Sequence, residues 1–447
     1  MNRKEFLKKS SALVAGGLLA PLMANAEQSK GARKNWAGNY TYKAPNLLEP
    51  ATVEELQAAV KNSTRQKALG STHCFNNIAD SLLNQISTKN LNKMIAIDEA
   101  AKTVTVESGM RYGELAPLLV ERGYALHNLA SLPHISIAGA CATATHGSGV
   151  GNESLAGAVA AIELVTSDGE IVKLKRGDAD FNGAVVNLGA LGIVSKVTLN
   201  IQDTFNVRQD IFQNLPLQSI RDHFDDIMSA GYSVSLFTDW QDEIVSQVWV
   251  KRRTDEAVAD LGTEFYGAAA ATKNLHPITR LSAIHCTEQM GVEGPWHERL
   301  PHFKMGFTPS SGDELQAEYF IPRENAVDAM LALEKMKDKI YPELLISEIR
   351  TIAADDYWLS PFYKKDAVAI HFTLKPNWPG VKKVLPMIEN ELAPFGVVPH
   401  WGKLFTLNPA TLHERYEKMN DFLQLAKKYD PEGQFRNAYL DLNIYQA

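Results

Sequence analysis

Two stretches far apart in the chain constrain its fold together. They are Ala68-Leu69-Gly70-Ser71-Thr72-His73-Cys74-Phe75-Asn76 and Ala130-Ser131-Leu132-Pro133-His134-Ile135-Ser136-Ile137-Ala138-Gly139, the second running on to Thr145-His146-Gly147-Ser148-Gly149. Gly70 permits a backbone turn that a side chain would obstruct, and the small polar residues after it offer N–H groups and hydroxyls to a bulky anion. A loop of this composition can hold a pyrophosphate. His73 by itself is ordinarily read as a surface or hydrogen-bonded residue, since histidine is commonly only partly buried. Each stretch is weakly informative alone, and the fold is constrained by the two together.

Around these loops the pattern is that of a mixed fold. Thr52-Val53-Glu54-Glu55 is a capping box opening a short helix with Val53, Leu56, Ala59 and Val60 on its apolar face. Residues 67–69 read as a strand leading into the His73 loop. Residues 95–97 and 103–107 flank a turn as a hairpin, and 112–122 form a helix stopped by Gly123. Gly147-Ser148-Gly149-Val150-Gly151 invites a dinucleotide-fold reading, which needs a long helix next. The next pattern is instead a second hairpin, 158–166 with 171–174, so a nicotinamide-binding fold is excluded. Alternating apolar residues over 191–199 close this first region.

From about Val207 strands alternate with longer helices. Helices are expected at 217–229, 324–339 and 378–392, and strands at 232–237, 245–250, 315–321, 344–352 and 367–374. The Ala-rich run 262–277 reads as a surface excursion. Alternation puts Ala367, Ala369, His371 and Thr373 on one face of their strand.

The chain has 447 residues, enough for two domains, and its 45% apolar and 22% charged content is that of an ordinary globular protein. A net charge of −7 excludes binding to nucleic acid mainly through phosphates, which rests on an excess of Lys and Arg. The three cysteines, Cys74, Cys141 and Cys286, form neither a disulfide framework nor a zinc pattern. In His297-Glu298-Arg299-Leu300-Pro301-His302 the histidines are five apart and Pro301 interrupts any helix, so no metal is expected there.

Glu348 and Arg350 share one strand face, as do His371 and Thr373. Polar groups on apolar strands are costly to bury unless they pair with one another or with a ligand. Pattern alone supports a buried Glu-Arg ion pair and a substrate site equally. Lys403, flanked by Trp401 and Gly402, suits a lysine held at a ligand.

The two loops resemble the flavin-binding domain of the vanillyl-alcohol oxidase and p-cresol methylhydroxylase superfamily, and within it the bacterial alditol oxidases. The resemblance extends to Asn35-Trp36-Ala37-Gly38-Asn39, Pro295-Trp296-His297-Glu298-Arg299-Leu300-Pro301-His302-Phe303, Glu348-Ile349-Arg350-Thr351 and Pro399-His400-Trp401-Gly402-Lys403, collinear from about Asn35 to Leu440. It implies an α+β, two-domain FAD-binding fold of the PCMH type. Residues 35–203 would hold FAD, and residues 204–447 would form an α+β substrate (cap) domain whose final segment returns to the flavin. FAD would contact Ala68, Leu69, Gly70, Ser71, Thr72, His73, Cys74, Ser131, Ser136, Gly139, Thr143, Ala144, Thr145, His146 and Val194, and be joined covalently through His73. Some relatives add a second bond through a cysteine whose place here is near Leu132, so Cys141 is expected to be a buried small residue.

The same resemblance places substrate against Ser131, Glu348, Arg350, Thr373 and Lys403, with His371 beside them. It implies oxidation of a polyol's primary hydroxyl to the aldehyde, with O2 reduced to H2O2. Arg350 and Lys403 would stabilise the developing alkoxide. Glu348 and Thr373 would hold distal hydroxyls. His371 is the candidate base, with a lysine-assisted water as the alternative. The rivals are a sugar-lactone oxidase or dehydrogenase using another acceptor and a non-catalytic carbohydrate-binding protein. An intact His73 and a full Glu348, Arg350, Lys403 set argue against the last.

Residues 1–26 read as an export signal: a basic start with Arg3, Lys4, Lys8 and Lys9, an apolar run over 12–23, and the small-x-small site Ala24-Asn25-Ala26. Asn2-Arg3-Lys4-Glu5-Phe6-Leu7-Lys8 resembles a twin-arginine export motif with lysine in place of the second arginine. The apolar run is short of the ~20 residues that span a bilayer. The expectation is a mature chain from about Glu27, exported by partner machinery to the periplasm or beyond, with no stable membrane anchor.

Overall fold

Strand Gln66–Leu69, which delivers the chain to Gly70, belongs to a three-stranded parallel sheet with Asn46–Leu48 and Asn84–Ser87. The computed structural model describes residues 32–256, 260–306 and 314–446; the expected leader at 1–26 lies outside them. Helix Val53–Lys61 connects Asn46–Leu48 to Gln66–Leu69, and the Thr52 hydroxyl accepts from the Glu55 amide at 3.1 Å, as the capping residues require. Its buried residues Leu56 and Val60 pack with Ile86, Val165, Ile193 and Phe435.

Next in the chain comes a five-stranded antiparallel sheet, in the order Met94–Asp98, Thr103–Glu107, Ile193–Asn200, Val159–Val165, Ile171–Lys175. Both expected hairpins are present, and Ile193–Asn200 runs between them with alternate residues buried. Period-two alternation over a half-buried strand explains why this region is legible from sequence.

The third sheet has ten strands. Its centre runs Asn206–Pro216, Ile244–Arg253, Ser233–Thr238, Leu344–Ile352, Ala367–Leu374, Leu315–Pro322, all antiparallel. Helices Leu217–Met228, Ala326–Lys335 and Trp378–Leu392 cover one face, where Phe224, Leu333 and Leu385 meet Leu236, Val248, Ile349 and Ile370. Alternation sends the intervening residues, among them Lys251, Glu318, Glu348, Arg350, His371 and Thr373, to the opposite face. The helices satisfy the apolar face and leave the polar face for a site.

Two elements differ from expectation. The helix expected over 324–339 is broken: Arg323–Asn325 is a 3-10 turn, Ala326–Lys335 is helical, and Met336 at φ −105 and ψ 16 separates it from Lys337–Ile340. The 262–277 excursion is in part sheet. Glu264–Phe265 pairs with Ala268–Ala270, which pairs with Asn206–Pro216 and extends the sheet edge.

The end of the chain returns to the first loop. Asn437 Nδ2 donates to the carbonyls of Asn77, Ile78 and Asp80 at 3.2, 3.0 and 2.8 Å, and Tyr439 donates to the Trp401 carbonyl at 2.8 Å. Among the described residues no helix is long and apolar enough to cross a membrane.

Candidate active site

At the start of the first loop a Cβ on Gly70 would lie 2.6 Å from Ser136 Oγ, and one on Gly139 would lie 2.8 Å from the same atom. Glycine at 70 lets the first loop close on Ser136 of the second, and glycine at 139 leaves room for the same hydroxyl within the second. Ser71 Oγ accepts from the Ser136 amide at 3.0 Å, so the stretches read together in the sequence are bonded together in the fold. Thr72 completes the turn at φ +63. The loop is also tied to the distal motif: the Phe75 amide donates to the Gly402 carbonyl at 2.7 Å, and Asn76 Nδ2 donates to the carbonyls of Trp401 and Lys403, each at 2.8 Å.

His73 stacks on Trp36 with ring centroids 5.2 Å apart and planes at 19°. Its Nδ1 lies 2.9 Å from the Ser71 carbonyl, a donor geometry that leaves the lone pair on Nε2. Nε2 is buried and has no hydrogen-bond partner. Burial lowers the imidazole to about 4, so the ring is neutral. A buried, neutral, unpartnered nitrogen aimed from a glycine-closed loop is an arrangement that fits attachment of a flavin.

The loops wall one end of a cavity of about 610 Å³. Ala68, Leu69, Gly70, Ser71, Thr72, His73, Cys74, Ser131, Ser136, Gly139, Thr143, Thr145, His146 and Val194 all line it. Ala144, expected at the cofactor, does not. It lies in the apolar core at φ +52 and turns the chain between Thr143 and Thr145, whose hydroxyls meet at 3.1 Å. Leu132 lines the cavity, and Cys141 is buried beside the Tyr112 hydroxyl at 3.6 Å, its thiol pushed up by burial to about 12.

The other end of the cavity is the polar face of the large sheet. Strand register sets Glu318, His371 and Glu348 side by side across three strands. Arg350 lies between the two carboxylates. Its Nη2 donates to Glu318 Oε1 at 3.0 Å and its Nη1 to Ser131 Oγ at 3.2 Å, while Nε lies 3.4 Å from Glu348 Oε1 without hydrogen-bond alignment. The buried ion pair that the pattern allowed is present, and its members face the cavity.

Burial alone would raise both carboxyls. For Glu348 it is outweighed by Arg350, His302 and His371, and for Glu318 by His146, His371 and Arg350, so both are held well below the usual carboxylate range. His371 is 8% exposed, and burial lowers it to about 4 against the pull of Glu318. Lys403 hydrogen-bonds Gln316 Oε1 and sits 5.0 Å from the centre of the Phe75 ring. Burial lowers its ammonium, opposed by Glu318 and Glu314. Thr373 lines the same wall one row away, paired with Gln316.

Sequence reasoning missed Glu318, Gln316, His302 and Lys251. The signal for the first two was there: Gln316 and Glu318 are polar residues two apart on the apolar strand Leu315–Pro322, the same cue that marked Glu348 and Arg350. His302 was weighed only as a metal ligand. The 262–277 stretch also reaches the site, since His276 and Pro277 line the cavity. Among the described residues no group of three or more His, Cys, Asp or Glu is placed to hold a metal ion.

Residues 44–175 match the FAD-binding domain family, and residues 311–443 match the D-arabinono-1,4-lactone oxidase family. An alditol oxidase from a Streptomyces species is 47% identical over 410 residues, covering 91% of this chain and 97% of that protein. An L-gulono-1,4-lactone dehydrogenase of Mycobacterium tuberculosis is 28% identical with the same coverage. Among solved structures, a solvent-stable cholesterol oxidase superposes with a TM-score of 0.74 at 16% identity, over 92% of this chain and 97% of its own, a likeness of fold. Identity at this level over nearly the full length of both chains, with the FAD-binding match on the loops that close over His73, makes this chain an FAD-dependent oxidoreductase belonging to the alditol oxidase family.

Proposed function

We propose that this enzyme oxidises the primary hydroxyl of an acyclic polyol such as xylitol or sorbitol to the aldehyde, with O2 reduced to H2O2. The observation that carries this reading is the shared cavity, which has the His73 loop at one end and Arg350, Lys403, Glu348, His371 and Thr373 at the other. The loop residues Gly70 to Cys74 with Ser136, Gly139 and Thr143 would hold FAD, which would supply the hydride acceptor and the route for electrons to O2. Arg350 and Lys403 are the cations that meet the oxygen losing its proton, and in a dry site such preorganised charge is worth several kcal/mol. His371 has no hydrogen-bond partner among the described residues and is neutral, so its ring can take the hydroxyl proton. Glu348 and Thr373 orient the distal hydroxyls. Oxygen uptake with equimolar peroxide on adding xylitol or sorbitol supports the reading; uptake with a sugar lactone and none with any polyol overturns it.

The base assignment sets a pH dependence. His371, lowered to about 4, accepts a proton above that pH and is already protonated below it. The acid limb of kcat/KM should therefore have one proton and lie near pH 4. An acid limb that persists unchanged in His371→Asn would assign the base to another group.

We infer further that FAD is joined covalently to His73. Flavin should stay with the polypeptide through denaturing electrophoresis, and His73→Ala should fold with flavin that is released on denaturation. Attached flavin in that variant would place the bond elsewhere. Export is likewise proposed, on the basic, apolar and small-x-small segments of residues 1–26. Mass spectrometry of active protein should give an N-terminus near Glu27; a full-length cytoplasmic form would contradict it.

A further inference from the structure

His302 lines the cavity and Lys251 lies behind it, 4% and 1% exposed, and the chemistry above does not use them. Lys251 Nζ faces three acceptors: the Leu300 carbonyl at 2.5 Å, His302 Nδ1 at 3.0 Å and the Pro301 carbonyl at 3.3 Å. An ammonium has three donors and no acceptor, so all three are used. Burial draws the Lys251 amine down to about 7, opposed by the charge of Glu348, and donation to three acceptors favours the ammonium. With His302 Nδ1 accepting, the ring proton is on Nε2, which donates to Glu348 Oε1 at 2.7 Å. One buried charge thus selects one tautomer, and the tautomer makes the ring a donor to the carboxylate.

We propose that Lys251 and His302 are positioning residues that hold Glu348 ionised, with one oxygen fixed and the carboxylate accepting hydrogen bonds from substrate hydroxyls. The chain of contacts does not conduct protons, because beyond Lys251 it ends in two backbone carbonyls. The His302 ring is packed edge-on against Phe237 and Trp249, with centroids 5.5 and 5.1 Å away. Its backbone is fixed too: the His302 amide donates to the Ser131 carbonyl at 3.1 Å, next to the hydroxyl that meets Arg350. The charged and titratable groups facing Glu348 are Arg350 on its own strand, His371 from Ala367–Leu374, His302 from the 299–303 segment and, behind it, Lys251 from Ile244–Arg253. Removing the His302 donor leaves burial less opposed, so the carboxyl rises and takes up a proton at higher pH.

This inference rests on the polyol reading, in which Glu348 meets substrate. The test uses flavin-loaded holoenzyme and compares His302→Leu, Lys251→Met and the conservative His302→Gln, whose amide N–H can replace the Nε2 donor. His302→Leu is expected to raise KM for sorbitol about tenfold or more, as loss of a hydrogen bond to a charged group does, with kcat changed far less. The pH at which the Glu348 carboxyl takes up a proton, read by infrared difference spectroscopy against Glu348→Gln and so apart from the His371 limb, should move up by roughly one unit or more. Lys251→Met should move that carboxyl titration the same way by less, and His302→Gln should restore it. Flavin-loaded His302→Leu and Lys251→Met enzymes with the parental carboxyl titration and KM overturn the proposal. If His302→Leu does not fold, an unmoved carboxyl titration in Lys251→Met overturns it alone, and one moved there but not in His302→Gln supports it. Glu348→Gln separates the two readings: if it leaves the sorbitol KM unchanged, the substrate role of Glu348 fails; if it raises KM and the His302 and Lys251 variants do not, only the positioning role fails.

Discussion

Lys403→Met is expected to slow flavin reduction by a polyol about 10²–10³-fold, the cost of removing one charged donor used at the reacting oxygen. The lysine is held by Gln316 and the Phe75 face inside the cavity, away from bulk water, so its charge acts in a medium that screens it weakly. Because the charge it meets grows as the hydroxyl proton leaves, kcat and kcat/KM should fall together, whereas a residue binding ground and transition states alike would mainly raise KM. Methionine keeps most of the stem's volume, so the loss reports charge. Anaerobic stopped-flow isolates the step. If Lys403→Met is reduced at the parental rate and slows only when O2 is admitted, the lysine acts in reoxidation instead.

Arg350→Met should be more disruptive, because this side chain lies between two buried carboxylates. Removing one partner of a buried ion pair costs roughly 3–5 kcal/mol, since the remaining charge is stranded. Among the described residues, Glu318 then keeps only His146 and Glu348 only His302 as side-chain hydrogen-bond partners. The pH dependence identifies the cause. Both carboxyls are depressed in the folded protein, so the stability they confer is present above the ordinary glutamate value of ~4.3 and lost as pH falls toward their folded values. In Arg350→Met their folded values rise, and the deficit against the parent should be largest near neutral pH and shrink on acidification. Urea denaturation at pH 7 and pH 4 checks this; a deficit independent of pH would mean that lost packing, not stranded charge, is responsible.

The parts of this enzyme legible in sequence are those in which local pattern and tertiary role coincide. Gly70 marked a turn, which the fold closes onto Ser136 of the second loop, and alternation over Ala367–Leu374 set His371 and Thr373 on one face while helices wall the reverse face of that strand. What stayed hidden depends on register between distant strands. Glu318 carried a local polar cue on its strand, but its place beside His371 depends on Leu315–Pro322 and Ala367–Leu374 pairing antiparallel, a register that no local signal specifies. The same holds for Lys251, whose partners are supplied by the turn at Leu300 and Pro301. Ala268–Ala270 read as loop because alanine is poor in strand signal, and tertiary pairing with Phe212 and Gln213 overrode that propensity. Ala144 was placed at the cofactor by position in a motif, while its positive φ turns the side chain into the core.

Whether one cavity couples polyol oxidation to reduction of O2 is tested most directly by half-reaction kinetics. Holoenzyme is mixed anaerobically with sorbitol, xylitol or a sugar 1,4-lactone while flavin absorbance is followed, and O2 is then admitted with peroxide measured. The expected result is rapid bleaching by the polyols, slow or no bleaching by the lactone, and return of the oxidised spectrum with one H2O2 per aldehyde formed. Bleaching by the lactone alone, or a reduced flavin that O2 does not reoxidise, would contradict it.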